Sequence, residues 1–210
     1  MEDYLRLCRL GEEWIGLDHS IRESKEKFAL PPNFEHRNGK LIYLSMGSLG
    51  SNIVELMSRL VKILSKCEHK IIVVRGKFQD QYELADNMWG DAFLPQLEIL
   101  PLVDLVITHG GNNTFIETLY FAKPMIILPL FGDQHDNAQR AVETKIAFKF
   151  NPFNVEENEL LSAIEKTLND CEMIERIQNI SKQMRESKTM DSIVQRIEKI
   201  AENPKIPPIM

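Results

Sequence analysis

Residues 104–117 read DLVITHGGNNTFIE: an apolar run that stops on a histidine and two glycines, then turns at once into a helix-like pattern. Glycine lets a backbone approach a bound group closely. The first free amides of a helix carry partial positive charge. Together they make an anion site whose usual occupant is phosphate. His109 can add a donor to a phosphate oxygen, and Asn113 and Thr114 can donate from the first turn. Glu117 follows Asn113 by four residues, on the same helix face one turn deeper. A carboxylate there is wrong for phosphate but suited to accepting from two hydroxyls, as a ribose diol offers. Taken alone, the same glycines could serve only a tight strand-to-helix turn, with His109 a satisfied polar group. Neither a G-x-G-x-x-G fingerprint nor a G-K-[ST] loop is present.

A second stretch, LPLFGDQHDNAQR, repeats the logic with Gly132, Asp133 and Gln134 at a helix start. Asp133 also fits a plain helix N-cap, with Asp136 three residues on completing a pair that resembles a capping box. An Asp-Gln pair equally suits a polyol: the carboxylate accepts from hydroxyls, and the amide both donates and accepts. A third element, FLPQ at residues 93–96, sets Phe93 beside a rigid proline turn. Its ring could stack on a planar base or sit in the core. Phosphate, diol, polyol and flat ring are the four parts of a nucleotide sugar.

These segments need a scaffold. Residues 41–45, 70–76, 104–109 and 124–129 read as apolar strands, and residues 146–150 as a weaker fifth. MGSLGS, after the first strand, reads as a loop. Asn52 opens a helix in which Ile53, Leu56, Met57, Leu60, Val61 and Leu64 share a face, with Glu55 placed like a capping-box partner. Further helical patterns occupy residues 113–122 and 133–144. Strands alternating with helices, and apolar on both faces, predict an α/β fold with a parallel sheet covered by helices. After Pro152 come three amphipathic stretches. Asn154 caps the first, which carries Leu160, Leu161, Ile164 and Leu168; the second aligns Met173, Ile177, Ile180 and Met184; the third aligns Ile193, Val194, Ile197 and Ile200. All three stripes are expected to be packing faces.

The bulk composition narrows the function. Of 210 residues, 43% are hydrophobic and 27% charged, which suits a globular domain. A net charge of −6 leaves no basic excess for a general nucleic-acid binder. Cys8, Cys67 and Cys171 are odd in number and scattered, which disfavours a disulfide framework, and ligand spacing for zinc is missing. No secretory signal is visible, and the most apolar window is broken by Lys123, Pro124 and Pro129. These features predict a soluble chain in a reducing, cytoplasmic setting. Residues 1–39 read as a linker-like leader, 40–150 as the nucleotide-sugar-binding unit, and 151–210 as helices packed on it.

The ordered set FLPQ, THGGNNTFIE, AKPM and PLFGDQHDNAQR resembles the donor-binding half of the UDP-glycosyltransferases, glycosyltransferase family 1 with the GT-B fold. The resemblance runs from about residue 41 to 150 and more loosely through the C-terminal helices. It implies a Rossmann-like sheet forming the C-terminal half of a GT-B fold, with a C-terminal helical extension. By that resemblance Phe93, where the family normally has tryptophan, stacks on uracil. His109 contacts the diphosphate, with Gly111, Asn113 and Thr114 beside it. Glu117 binds the ribose, Asp133 and Gln134 contact sugar hydroxyls, Ser48 touches phosphate, and Gln96 completes the donor-binding set. The implied reaction is inverting transfer of a sugar from a UDP-sugar to a small lipophilic acceptor, with no metal and no cofactor beyond the co-substrate. The family's acceptor domain and its catalytic histidine have no counterpart here, and His19 and His36 lie in the leader outside any such context. The chain is therefore expected to act as part of a larger enzyme and to be nearly inactive alone. Two alternatives remain open: the donor subunit of a two-chain N-acetylglucosaminyltransferase, and a non-catalytic nucleotide-sugar-binding module.

Overall fold

The computed structural model describes residues 15–17, 19–35 and 38–204. Cys8, His36 and most of the first half of the leader lie outside the described residues. Six strands form one sheet: β1 (Leu41–Ser45), β2 (Lys70–Val74), β3 (Met88–Asp91), β4 (Leu105–Thr108), β5 (Met125–Ile127) and β6 (Ala147–Lys149). Their spatial order is β3-β2-β1-β4-β5-β6, and every pairing is parallel. The order reverses between β1 and β4, where Tyr43 lies opposite Val106. A doubly wound sheet binds its ligands beyond the strand ends at such a reversal.

The central strands are apolar throughout, since both faces of a parallel sheet are covered. One face packs on α3 (Val54–Leu64) and α7 (Glu157–Asn169), with Leu56, Leu60, Leu160 and Ile164 buried against Ile42, Leu44 and Ile107. The other face packs on α5 (Asn112–Tyr120), α6 (Asp133–Glu143) and α8 (Cys171–Glu186), through Phe115, Leu119, Ala138, Met173 and Ile177. Phe34, in the short helix α1 (Pro32–Glu35), is fully buried on this side, and Phe28 and Leu30 pack beside it. The described part of the leader is therefore laid along the domain.

Several expectations are corrected. β3 is a sixth strand not legible in the sequence: only Met88 of its four residues is buried, and Gly90 and Asp91 disfavour strands. It forms the sheet edge beside β2, where the backbone pairing decides. MGSLGS contains a single helical turn, α2 (Gly47–Gly50). Asn52 caps nothing; α3 begins at Val54 after Ile53 without a side-chain cap. The Asn52 amide instead donates to Ser48 O at 2.7 Å and accepts from Lys77 N at 2.8 Å, tying the β1–α3 loop to the end of β2. The cap of α7 is Glu156, in a reciprocal box with Glu159, two residues later than expected. Gly132, not Asp133, is the N-cap of α6. The stripe of α9 (Thr189–Glu202) is not a buried face: none of its residues is buried, Ile193 is half-buried, and Val194, Ile197 and Ile200 are 47%, 59% and 57% exposed.

Candidate donor-binding site

A cleft of about 590 Å³ opens at the carboxyl ends of β1, β2, β3 and β4, beside the order reversal. Of the residues expected from the sequence, Ser48, Phe93, Gln96, His109, Gly111, Asn113 and Thr114 all line it. Sequence reading missed Arg22, Tyr43, Gly47, Asn52, Lys77 and Asn112, which line it too. Gly47 was within reach of prediction, since it precedes Ser48 in a glycine-rich loop. Arg22 carried no signal, because nothing in the leader announces a site.

His109 sits where β4 gives way to α5. Its imidazole is wedged between two loops: a Cβ on Gly47 would come within 2.5 Å of its Nε2, and one on Gly111 would collide with the same atom. Gly47 also has φ +69, where side chains are strained. The glycines thus make room for this ring. Burial pushes the imidazole below the ordinary histidine value, partly offset by its hydrogen bond to the Ser45 backbone and by the negative charge of Asp133. The single N–H of a neutral ring is engaged by the Ser45 carbonyl, so donation to an anion as well requires the other ring nitrogen to take up a proton, which an arriving anion favours.

Behind His109, α5 starts at Gly111 with no side-chain cap. Contrast α8, where the Asp170 side chain accepts from Met173 N at 2.8 Å. The first amides of α5 thus face the cleft without the carboxylate or hydroxyl that normally occupies an N-terminus. An anionic ligand placed there meets both the amides and the positive end of the helix. Phe93 is 71% exposed on the cleft wall, which rules out the core role and leaves a free aromatic face. Ser48 is exposed at the rim.

Beneath the cleft runs a buried polar chain. Tyr43 Oη donates to Gln96 Oε1 at 3.4 Å, Gln96 Nε2 reaches Thr114 Oγ1 at 3.4 Å, and Gln96 Nε2 donates to Glu117 Oε2 at 2.5 Å. Burial drives the Tyr43 phenol well above its ordinary value, so it remains a neutral donor. Gln96 and Thr114 are both buried and engaged in this chain. Glu117 is only 2% exposed, and its second oxygen, Oε1, accepts from Arg22 Nε at 3.1 Å. It does not line the main cleft but a smaller neighbouring pocket of about 310 Å³, whose walls share Arg22, Asn112 and Asn113 with the first.

The second expected junction, β5 to α6, lies alongside. Asn137 Nδ2 donates to Gly110 O at 2.9 Å and approaches Asp133 Oδ2 at 3.5 Å, bridging the two junctions. Asp133 is exposed and close enough for its charge to act on His109. Gln134 is turned inward, 4% exposed, with Oε1 accepting from Leu130 N at 2.8 Å and Phe131 N at 3.1 Å. What Gln134 can offer a ligand is therefore its NH2 group.

A six-stranded parallel sheet of this order, covered by helices on both faces, is the fold of half of a GT-B glycosyltransferase. The family model described as UDP-glucoronosyl and UDP-glucosyl transferase matches residues 30–201, and the chain belongs to that family. It is 26% identical over 195 residues to the uncharacterized UDP-glucosyltransferase YdhE of Bacillus subtilis, covering 91% of this chain and 49% of that protein. It is 30% identical over 148 residues to UDP-glucuronosyltransferase 2B17 of Homo sapiens, covering 69% of this chain and 28% of that one. Among solved structures, the glycotransferase of kitacinnamycin superposes with a TM-score of 0.74 at 25% identity, over 87% of this chain and 48% of that one. The calicheamicin glycosyltransferase CalG4 has the same fold, with a TM-score of 0.71 at 16% identity over 84% and 46%. The chain thus spans about half the length of the first curated relatives it matches. No helix among the described residues is long and apolar enough to cross a membrane.

Proposed function

We propose that this chain is the donor-binding half of an inverting, UDP-sugar-dependent glycosyltransferase acting on a small lipophilic acceptor. In this reading the diphosphate rests on the uncapped start of α5 and on His109. Uracil stacks on Phe93, the ribose diol reaches Glu117, and the hexose turns toward Asp133 and the NH2 of Gln134. The single observation that carries it is the geometry around His109: an imidazole held between two glycines at the open end of a helix, with a buried carboxylate one turn deeper.

The chemistry asked of these residues is modest. Departure of the nucleotide diphosphate concentrates negative charge on the bridging oxygen, and the fixed amides and His109 oppose that charge without having to reorganise. The proton acceptor for the attacking hydroxyl, and the acceptor pocket itself, belong to the acceptor half of the enzyme, so no residue of this chain is assigned that role. No metal is required in this reading. Isothermal titration with UDP tests it. His109→Ala removes a charge-assisted contact worth about 1.5–3 kcal/mol and weakens binding about 10- to 100-fold. Glu117→Ala also weakens it. UDP binding that is absent, or indifferent to both substitutions, refutes the assignment.

A further inference from the structure

Resting on the donor-site reading, we propose that Arg22 is a latch: in the empty protein it closes the ribose subsite, and a nucleoside must displace it to reach Glu117. Three observations converge. Glu117 is nearly sealed from solvent, and both its oxygens are engaged, one by Gln96 Nε2 and the other by Arg22 Nε. Glu117 is absent from the walls of the main cleft, whereas Arg22 lines both that cleft and the smaller pocket where Glu117 lies. Arg22 thus stands, with Asn112 and Asn113, on the wall common to both, and it alone of these three is bonded to the Glu117 carboxylate.

The partners of the latch differ in mobility. The Glu117 carboxylate is 3% exposed and fixed from behind by Gln96, so it stays; the Arg22 side chain is 65% exposed, so it can leave into water. The leader is held on both sides of Arg22. His19 packs edge-on against Tyr120 with ring centroids 5.4 Å apart, and Phe28 packs against Trp89 at 5.9 Å. These anchors keep the guanidinium at high effective concentration beside its partner, so it recloses whenever the site empties. A ribose diol supplies two hydroxyl donors to the same carboxylate, replacing a charged donor by neutral ones. The exchange thus subtracts from nucleoside affinity, and it does so through an ion pair that salt screens.

Uridine is the probe that isolates the latch, because it carries the diol but no charge. Its affinity is measured by NMR titration against the whole chain and against Arg22→Ala, at low and high sodium chloride, with UDP titrated in parallel. Arg22→Ala is expected to bind uridine about ten-fold more tightly at low salt. Wild-type affinity for uridine rises with salt and converges on that of the variant, whose own affinity stays flat. An unchanged amide spectrum around Tyr120 and Trp89 shows that the leader stays docked in Arg22→Ala, whatever the unpaired Glu117 carboxylate costs in urea midpoint. Arg22→Ala binding uridine equally or more weakly overturns the latch, as does a wild-type affinity that ignores salt. UDP separates the two ideas: if its binding still depends on His109 while the uridine result is negative, only the latch falls. If UDP binding ignores both His109 and Glu117, the donor site itself is wrong and the latch goes with it.

Discussion

Replacing Gly111 by alanine isolates the contact on which the site turns. Gly111 has φ −61 and ψ 143, a backbone that alanine adopts without strain, so any penalty comes from space alone. The new methyl would lie 3.0 Å from His109 Cε1 and 3.2 Å from Cδ2, and closer still to Nε2. On its other side the ring already sits against Gly47, where an added Cβ would meet the same nitrogen, so its room to retreat is small. Forcing one carbon into such a gap costs about 1–3 kcal/mol. Against this, the loss of unfolded-state freedom on changing glycine to alanine stabilises by about 0.4–1 kcal/mol. The net expectation is a destabilisation of about 1–2 kcal/mol, or about 3–6 °C in Tm for a domain of this size. In a His109→Ala background the obstacle is gone and only the favourable part remains. The same substitution then stabilises by about 0.4–1 kcal/mol, and the two sites couple by about 2 kcal/mol. Urea or thermal unfolding of the four proteins reads the cycle, and UDP titration should show Gly111→Ala losing about ten-fold in affinity as His109 is pushed aside. Equal effects of Gly111→Ala in both backgrounds would refute the idea that the glycine exists to seat the ring.

The remaining predictions concern pH and the base. Because burial lowers the His109 pKa in the folded state, the unfolded chain binds more protons between the two values. Its contribution to stability is therefore fully present above about 6.5 and is lost as pH falls below that. Ligand affinity runs the other way: UDP-glucose, whose diphosphate does not titrate near neutrality, should bind more tightly as pH drops from 8 to 6, and His109→Ala should abolish that dependence. Phe93→Ala should cost about 1–3 kcal/mol of UDP binding, the usual worth of one stacked base, whereas Phe93→Trp should gain a few-fold. Unchanged affinity in both Phe93 variants would remove that ring from the site.

The sheet and the two junctions were legible because their signals are local. An apolar strand ending on glycine before a polar helix start announces itself at residues 104–117, and β1–α3–β2 and β4–α5–β5–α6–β6 follow the same alternation. Seven of the ten expected site residues line one cleft for this reason. What escaped depends on contacts between distant segments. β3 exists because β2 offers it a partner, not because MWGD prefers extension. Asn52 stands like an N-cap in sequence, but its side chain answers to Lys77 across the loop. That Gln134 spends its oxygen on two amides of its own loop, keeping only its NH2 for a ligand, depends on how that loop folds. Arg22 reaches Glu117 across 95 residues of chain, a separation no periodicity can report.

The inward turn of Gln134 divides labour within the β5–α6 corner. One side chain keeps the backbone at Leu130 and Phe131 in shape, so altering it would deform the corner rather than retune it. The side chains of Phe131, at 48% exposed, and of exposed His135 carry no such duty, while Asp133 keeps its approach to Asn137 and its charge beside His109. Under the proposed donor reading, replacement at Phe131 or His135 would retune the sugar contact while the backbone bonds of that corner stay intact.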